Sequence, residues 1–344
     1  MKERDLQVCS LREAQHRAGH DGGAPAVAAA LRAQGAGAVC IVDARPGLDW
    51  IETPHARGWL TASVLAPEAL AAAARAAVGR GFVAADALIV ARMDAPDTLP
   101  LLSWGEEAPD TPRFAPPPRR LDLYAIVDSA RRLRQVLDAG VRTVQLRIKT
   151  PSAPDAAWQE MLRDEVQQAI AASERAGAEL FVNDHWRLAR DLGARGVHLG
   201  QEDLLALGEA GRRELRASGL ALGISSHSLW ELARARTFSP RYIACGPVWP
   251  TLTKDMPWLP QGLDNLAWWC RAAGAPVTAI GGILQPGEVE QAASTGTDGV
   301  CIVRGLGEDP RATLPAFEAA LAAGRARRPA DLPPWPHPSL PAGA

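Results

Sequence analysis

Long apolar runs are missing from this sequence. Nowhere do about 18 uncharged apolar residues follow one another, so no membrane-spanning helix is expected. The start, Met1-Lys2-Glu3-Arg4-Asp5, is charged and leads into no apolar segment, which predicts no secretory signal peptide. An excess of one charge is missing as well. Thirty-seven Lys and Arg stand against 39 Asp and Glu, a net charge of -2. That balance offers no footprint for nucleic acid or an anionic membrane, and leaves room only for local anion sites. Cysteine is scarce. There are five, none in CxxC spacing and none clustered with histidine, so neither a disulfide framework nor a zinc site is expected. Cys40, Cys245 and Cys301 stand in apolar, strand-like runs and read as small core residues of a reduced, cytoplasmic protein. No GxSxG elbow, HExxH, Walker A loop or complete GxGxxG occurs, which argues against α/β-hydrolase, zincin, P-loop and Rossmann chemistry.

What is present is ample core material, 47% hydrophobic residues over 344 positions, enough for about two domains. Residues 105–118, with Pro109, Pro112 and Pro116-Pro117-Pro118, read as a stiff solvated linker. Residues 326–344, with six prolines, read as a disordered tail. Between these lies 119–325, where eight short apolar runs occur at 121–127, 143–148, 179–182, 197–199, 221–224, 242–245, 277–280 and 300–303. Helical stretches such as 156–176 and 229–237 separate them, and the runs lack in/out alternation, as in a parallel sheet buried on both faces. The fold class is α/β, and eight such units fit a (β/α)8 barrel better than an open doubly wound sheet.

Chemistry in a barrel belongs at the C-terminal strand ends. In the second run, Gln145, Arg147 and Lys149 share one face by the period of two, while Leu146 and Ile148 face the helices. Two cations there call for an anion, or for salt bridges at the strand end. Asn183-Asp184 ends the third run and Asp203 follows the fourth. Such carboxylates together suit a partly ligated Mg²⁺, although each alone reads better as a helix cap. Thr251, Thr253 and Lys254 lie in a proline-flanked loop after the sixth run, a clamp for an anion or a plain surface loop. Gly281-Gly282 and Arg304-Gly305 stand where barrels commonly hold phosphate on backbone N–H groups. His198 and His227 read as structural, His198 being inside a strand without an evident partner.

In order along the chain, VQLRIK, FVND, GVHLGQED, LGISSHS, YIACGPVWPTLTK, AIGGI and DGVCIV resemble thiamine-phosphate synthases. The resemblance implies a TIM barrel that joins hydroxymethylpyrimidine diphosphate to hydroxyethylthiazole phosphate, with Mg²⁺, releasing pyrophosphate. It implies that Gln145, Arg147, Lys149, Asn183, Ser225 and Lys254 hold the pyrimidine diphosphate. Asp184 and Asp203 would ligate Mg²⁺. Thr251, Thr253, Gly282, Val303 and Arg304 would hold the thiazole phosphate. Arg147, Lys149 and Lys254 would supply the catalytic positive field. Two positions depart from the family pattern: Ile148 replaces an acidic residue and Arg304 replaces a serine. A thiazole tautomerase and a catalytically silent precursor-binding protein are the alternatives, and a homo-oligomer is compatible with either. Residues 1–104 order as a small α/β segment: a helix over 24–34, a strand over 38–42, a turn, a helix over 67–78 and a final segment over 82–92. They faintly resemble the last third of hydroxymethylpyrimidine-phosphate kinase, a ribokinase-like fold. The anion-hole position there reads Arg57-Gly58-Trp59-Leu60-Thr61-Ala62, which implies a non-catalytic remnant used for packing or oligomerisation.

Overall fold

A computed structural model describes residues 5–341, apart from 64, 96–97, 115, 251–256 and 328–334. The first segment holds β1 (Leu6–Ser10), α1 (Leu11–Ala18), α2 (Ala24–Ala33), β2 (Ala38–Arg45), β3 (Leu48–Glu52), β4 (Arg57–Thr61), α3 (Pro67–Gly79) and α4 (Ala84–Ala91). Its sheet runs in chain order, with β1 parallel to β2 and the rest antiparallel. The expected helices and the strand over 38–42 are present, while β1, α1, β3 and β4 had not been expected. The two missed hairpin strands carry charged residues in short stretches. Their pairing rests on Trp50 and Trp59, buried edge to face with centroids 5.1 Å apart.

The second segment closes a barrel from β5 (Asp122–Val127), β6 (Thr143–Leu146), β7 (Glu179–Asn183), β8 (Gly196–Leu199), β9 (Ala221–Ser226), β10 (Tyr242–Cys245), β11 (Val277–Ala279) and β12 (Gly299–Ile302). Every neighbouring pair is parallel, and β12 pairs with β5 to complete the ring. Helices α5 (Ala130–Ala139), α6 (Ala156–Arg175), α7 (Trp186–Asp191), α8 (Gln201–Ala206), α9 (Gly208–Ala217), α10 (Leu229–Arg236), α11 (Gly262–Ala272), α12 (Pro286–Ser294) and α13 (Pro310–Ala326) surround it. Four of the five cysteines are buried and all are free.

The described residues of the linker over 105–118 are largely exposed, and they are also anchored at several points. Glu106, Glu107 and Asp110 pair with Arg57, Arg213 and Arg216, and the Arg113 N–H donates to Ser239 Oγ at 2.8 Å. Charged residues between the prolines tie it to both segments. Beneath it the Trp104 indole donates to Thr237 Oγ1 at 3.0 Å, and the buried Arg234 guanidinium donates to the carbonyls of Ser103 and Arg57. One hydrophobic core continues from Leu70 and Leu88 into Trp230 and Leu232 of the barrel. The expectation of a disordered tail over 326–344 is corrected for its described part. Ser339 and Leu340 are buried, the His337 N–H donates to Asn265 Oδ1 at 2.9 Å, and the Leu259 N–H donates to the Ser339 carbonyl at 2.9 Å. Proline offers no N–H donor, so this strap is held by the side chains and loop of α11 instead of by a ladder.

Candidate active site

The C-terminal strand ends open onto a cavity of about 410 Å³. It is lined by Gln145, Arg147, Asn183, Asp184, Asp203, Ser225, Gly282, Val303 and Arg304, residues from six different strand ends or the loops that follow them. The loop residues Thr251, Thr253 and Lys254 lie outside the described residues. Lys149 is exposed and is not part of the lining. The reason is the length of β6. The ladder ends at Leu146, with one further bond from the Arg147 N–H to the Val127 carbonyl at 2.7 Å, so alternation stops before Lys149. Within the strand the period holds. Gln145 points into the barrel, Leu146 joins the outer core, and Ile148 packs against that core from a half-buried position.

His198, read from sequence as lacking a partner, has two. Its Nδ1 lies 2.8 Å from Tyr242 Oη and its Nε2 lies 2.9 Å from Ser225 Oγ. Tyr242 Oη lies 2.7 Å from Tyr124 Oη, to which Gln145 Nε2 donates at 3.0 Å. One polarity gives every hydrogen of this buried chain an acceptor: Gln145 donates to Tyr124, Tyr124 to Tyr242, Tyr242 to His198 Nδ1, and His198 Nε2–H to Ser225. His198 is then the neutral Nε2–H tautomer. Burial, with Arg147 and His227 adding to it, pushes its pKa down to about 3. Ser225, accepting from His198, lines the cavity and keeps its own hydroxyl hydrogen available to donate.

Asp184 and Asp203 are exposed on the same rim, next to Glu202. Asp184 holds a left-handed φ of 63°, a conformation that Asp tolerates better than most residues. Asp203 is not the N-cap residue, which is Gly200, but the third residue of α8, and its Oδ2 accepts the Gly200 N–H at 2.8 Å as in a capping box. Capping engages that oxygen and leaves the carboxylate at the cavity. Among the described residues no cluster of three or more potential metal ligands occurs. Two rim carboxylates fit Mg²⁺ nonetheless, because that ion commonly takes one or two carboxylates and completes its shell with water and substrate phosphate.

Across the cavity, Gly281 and Gly282 have φ of 96° and 76°. A Cβ on Gly282 would stand 2.5 Å from that of Trp249, so only glycine lets this turn approach the β10 loop. Arg304 is exposed on the rim beside it. His227, Glu231 and Trp258 form a further part of the wall. His227 Nδ1 lies 2.9 Å from Glu231 Oε2, and the His227 ring stacks on Trp258 at 5.2 Å with planes 10° apart. The i, i+4 spacing of His227 and Glu231 was the available signal for this pair.

The profile of the family described as thiamine monophosphate synthase matches residues 123–306, more than half of the chain. This chain belongs to that family. The thiamine-phosphate synthase of Rhizobium etli is 42% identical to it over 210 residues, 60% of this chain and 98% of the relative. That of Escherichia coli O6:H1 is 49% identical over 173 residues, 50% of this chain and 78% of the relative. A solved thiamine phosphate pyrophosphorylase from Pyrococcus furiosus superposes with a TM-score of 0.51 at 26% identity, covering 59% of this chain and 96% of that one. The thiamine monophosphate synthase match falls on the barrel and leaves out the first segment and the C-terminal strap.

Proposed function

We infer that this protein is a thiamine-phosphate synthase, a transferase that joins hydroxymethylpyrimidine diphosphate to hydroxyethylthiazole phosphate. The observation that carries the reading is the convergence of Gln145, Arg147, Asn183, Asp184, Asp203 and Ser225 on one cavity at the C-terminal face of a family barrel. Gln145, Asn183 and Ser225 would orient the pyrimidine diphosphate, and Arg147 would sit against its phosphates, with Lys149 and Lys254 reaching it from the rim and the loop. Gly282, Val303 and Arg304 would hold the thiazole phosphate together with Thr251 and Thr253.

The reaction needs no protein nucleophile. The C–O bond of the diphosphate ester breaks with its electron pair leaving on pyrophosphate, and the thiazole nitrogen lone pair then forms the new C–N bond. A fixed positive field on the departing pyrophosphate lowers this barrier, and Arg147 supplies part of it. Mg²⁺, held by Asp184 and Asp203, would neutralise further phosphate charge. The neutral His198 keeps Ser225 directed at the cavity without placing a second cation on the pyrimidine side. The five free thiols agree with a cytoplasmic setting. In the first segment the Arg57–Thr61 stretch is strand β4, and Ser103 fills the space beside Gly58, which supports a non-catalytic role there.

The test is pyrophosphate release by the full chain. Release that requires both substrates and Mg²⁺ is expected, falling at least about tenfold in Arg147→Ala. Binding of either precursor without release would overturn the reading and leave the tautomerase or the silent binding protein.

A further inference from the structure

The pocket wall of His227, Glu231 and Trp258 is built around the first turn of α10, and the groups that hold this turn come both from the barrel and from the segment before it. The turn begins with Ser228, whose hydroxyl accepts the Glu231 N–H at 3.3 Å. The Trp230 N–H is taken by Asp86 Oδ1 at 3.0 Å. Asp86 sits on α4 of the first segment, 2% exposed, within a helix whose other buried side chains are apolar. An N-terminal turn presents N–H groups that its own helix cannot satisfy, so a buried carbonyl-type acceptor there fixes its position and direction.

The turn then passes that order to the cavity. Glu231 Oε2 accepts the His227 N–H at 2.6 Å and lies 2.9 Å from His227 Nδ1. His227 stacks on Trp258, Trp258 meets Trp230 at 5.4 Å, and Trp230 meets His55 of the first segment at 5.4 Å. From the other side, Gln261 Nε2 donates to the His227 carbonyl at 2.7 Å, and the Gln261 carbonyl lies 2.8 Å from His337 Nε2 of the C-terminal strap. Asp86, His55 and His337 all lie outside the residues matched by the family.

We propose that Asp86 is a positioning residue for the reaction: by holding the first turn of α10 it sets Glu231, and through Glu231 the His227 ring and the Trp258 face that bound the cavity. The segment before the barrel is therefore a structural part of the site, although none of its residues lines it. The kinetic part of the test rests on the synthase reading; the spectroscopic part does not.

The experiment compares Asp86→Ala and Asp86→Asn with the wild-type full chain. Pyrophosphate release is measured against each substrate, and the His227 ring resonances are followed in histidine-labelled protein. Positioning predicts that Asp86→Ala raises KM for at least one substrate by about fivefold or more, whereas a protein that is merely less stable loses active fraction, lowering kcat with KM unchanged. The His227 resonances shift in Asp86→Ala, and Asp86→Asn, which keeps an oxygen acceptor, restores both readouts. A folded Asp86→Ala with unchanged KM and unmoved His227 resonances overturns the proposal. If Asp86→Ala does not fold, Asp86→Ser, with its shorter reach, carries the same test. If the wild type itself releases no pyrophosphate, the synthase reading fails while the resonances still decide the role of Asp86.

Discussion

Removing one oxygen from the barrel interior tests the hydrogen-bonded chain. Tyr242 is fully buried, and Tyr242→Phe conserves the ring, so it opens no cavity beyond the hydroxyl. It takes the acceptor from Tyr124 O–H and the donor from His198 Nδ1 together. A buried polar group left unpaired costs about 1–3 kcal/mol, so two such groups place the loss at about 2–6 kcal/mol. Tyr124→Phe removes the neighbouring hydroxyl and leaves Gln145 Nε2 and Tyr242 Oη without that partner. Because the two hydroxyls serve each other, the double variant should lose less than the sum of the single losses, with a coupling of about 0.5–3 kcal/mol. Thermal or urea unfolding of the four proteins completes the cycle. The reasoning is refuted if Tyr242→Phe costs under about 1 kcal/mol and the two changes add, since hydroxyls in one chain cannot act independently. The functional counterpart is lower pyrophosphate release in Tyr242→Phe, because His198 no longer has Nδ1 committed as acceptor and its grip on Ser225 loosens.

Asp203→Ala should weaken Mg²⁺ dependence of pyrophosphate release and also destabilise α8 by about 1 kcal/mol, because the side chain reaches back to the N-cap N–H of Gly200. Asp203→Asn separates the two, keeping the cap and losing the charge; equal Mg²⁺ titrations in Asp203→Asn and wild type would remove this residue from the metal site. Burial pushes the Asp86 pKa up to about 8, against 3.8 for an ordinary Asp, with Glu231 nearby adding to the effect. The folded state thus keeps a proton that the unfolded state has released, so the contribution is full below about pH 4 and declines as pH rises toward 8. His198 acts oppositely, its depressed pKa removing stability as pH falls from about 6.5 to 3, so the window from 6.5 to 8 isolates Asp86. Over that window wild type should lose about 2 kcal/mol relative to Asp86→Asn in unfolding free energy, and parallel pH profiles would contradict a raised pKa. Arg304→Ser, which restores the residue usual for the family, should change KM for the thiazole phosphate and leave that for the pyrimidine diphosphate within about twofold; an effect on the pyrimidine side alone would move Arg304 to the other half of the cavity.

The barrel was legible because a strand buried on both faces must be an apolar run, and eight such runs at βα spacing admit few other closures. Strand-end residues were legible where the ladder reached them. The alternation rule succeeded at Gln145 and failed at Lys149 because the period of two holds only while neighbouring strands pair, and β6 stops pairing at Leu146. The polar chain was not legible from local pattern, since Tyr242 and Ser225 reach His198 from other strands. Yet a sign of it stood in the sequence. Gly223 lies opposite both His198 and Tyr242 in register, and a Cβ there would fall 2.2 Å from the Tyr242 ring. A glycine in the middle of an otherwise apolar strand marks a place where something approaches closely. Here that is the ring whose hydroxyl holds His198. Asp86 carried a comparable sign. A lone carboxylate among Ala84, Ala85, Ala87, Leu88, Ile89 and Val90 requires a buried partner. No partner stands nearby in sequence, so it had to come from across a packed interface. The proline-rich stretch over 105–118 read only as a stiff solvated linker, which did not say where that interface lies. Proline content reports how few backbone donors a segment has and says little about how firmly its charged neighbours are tied down.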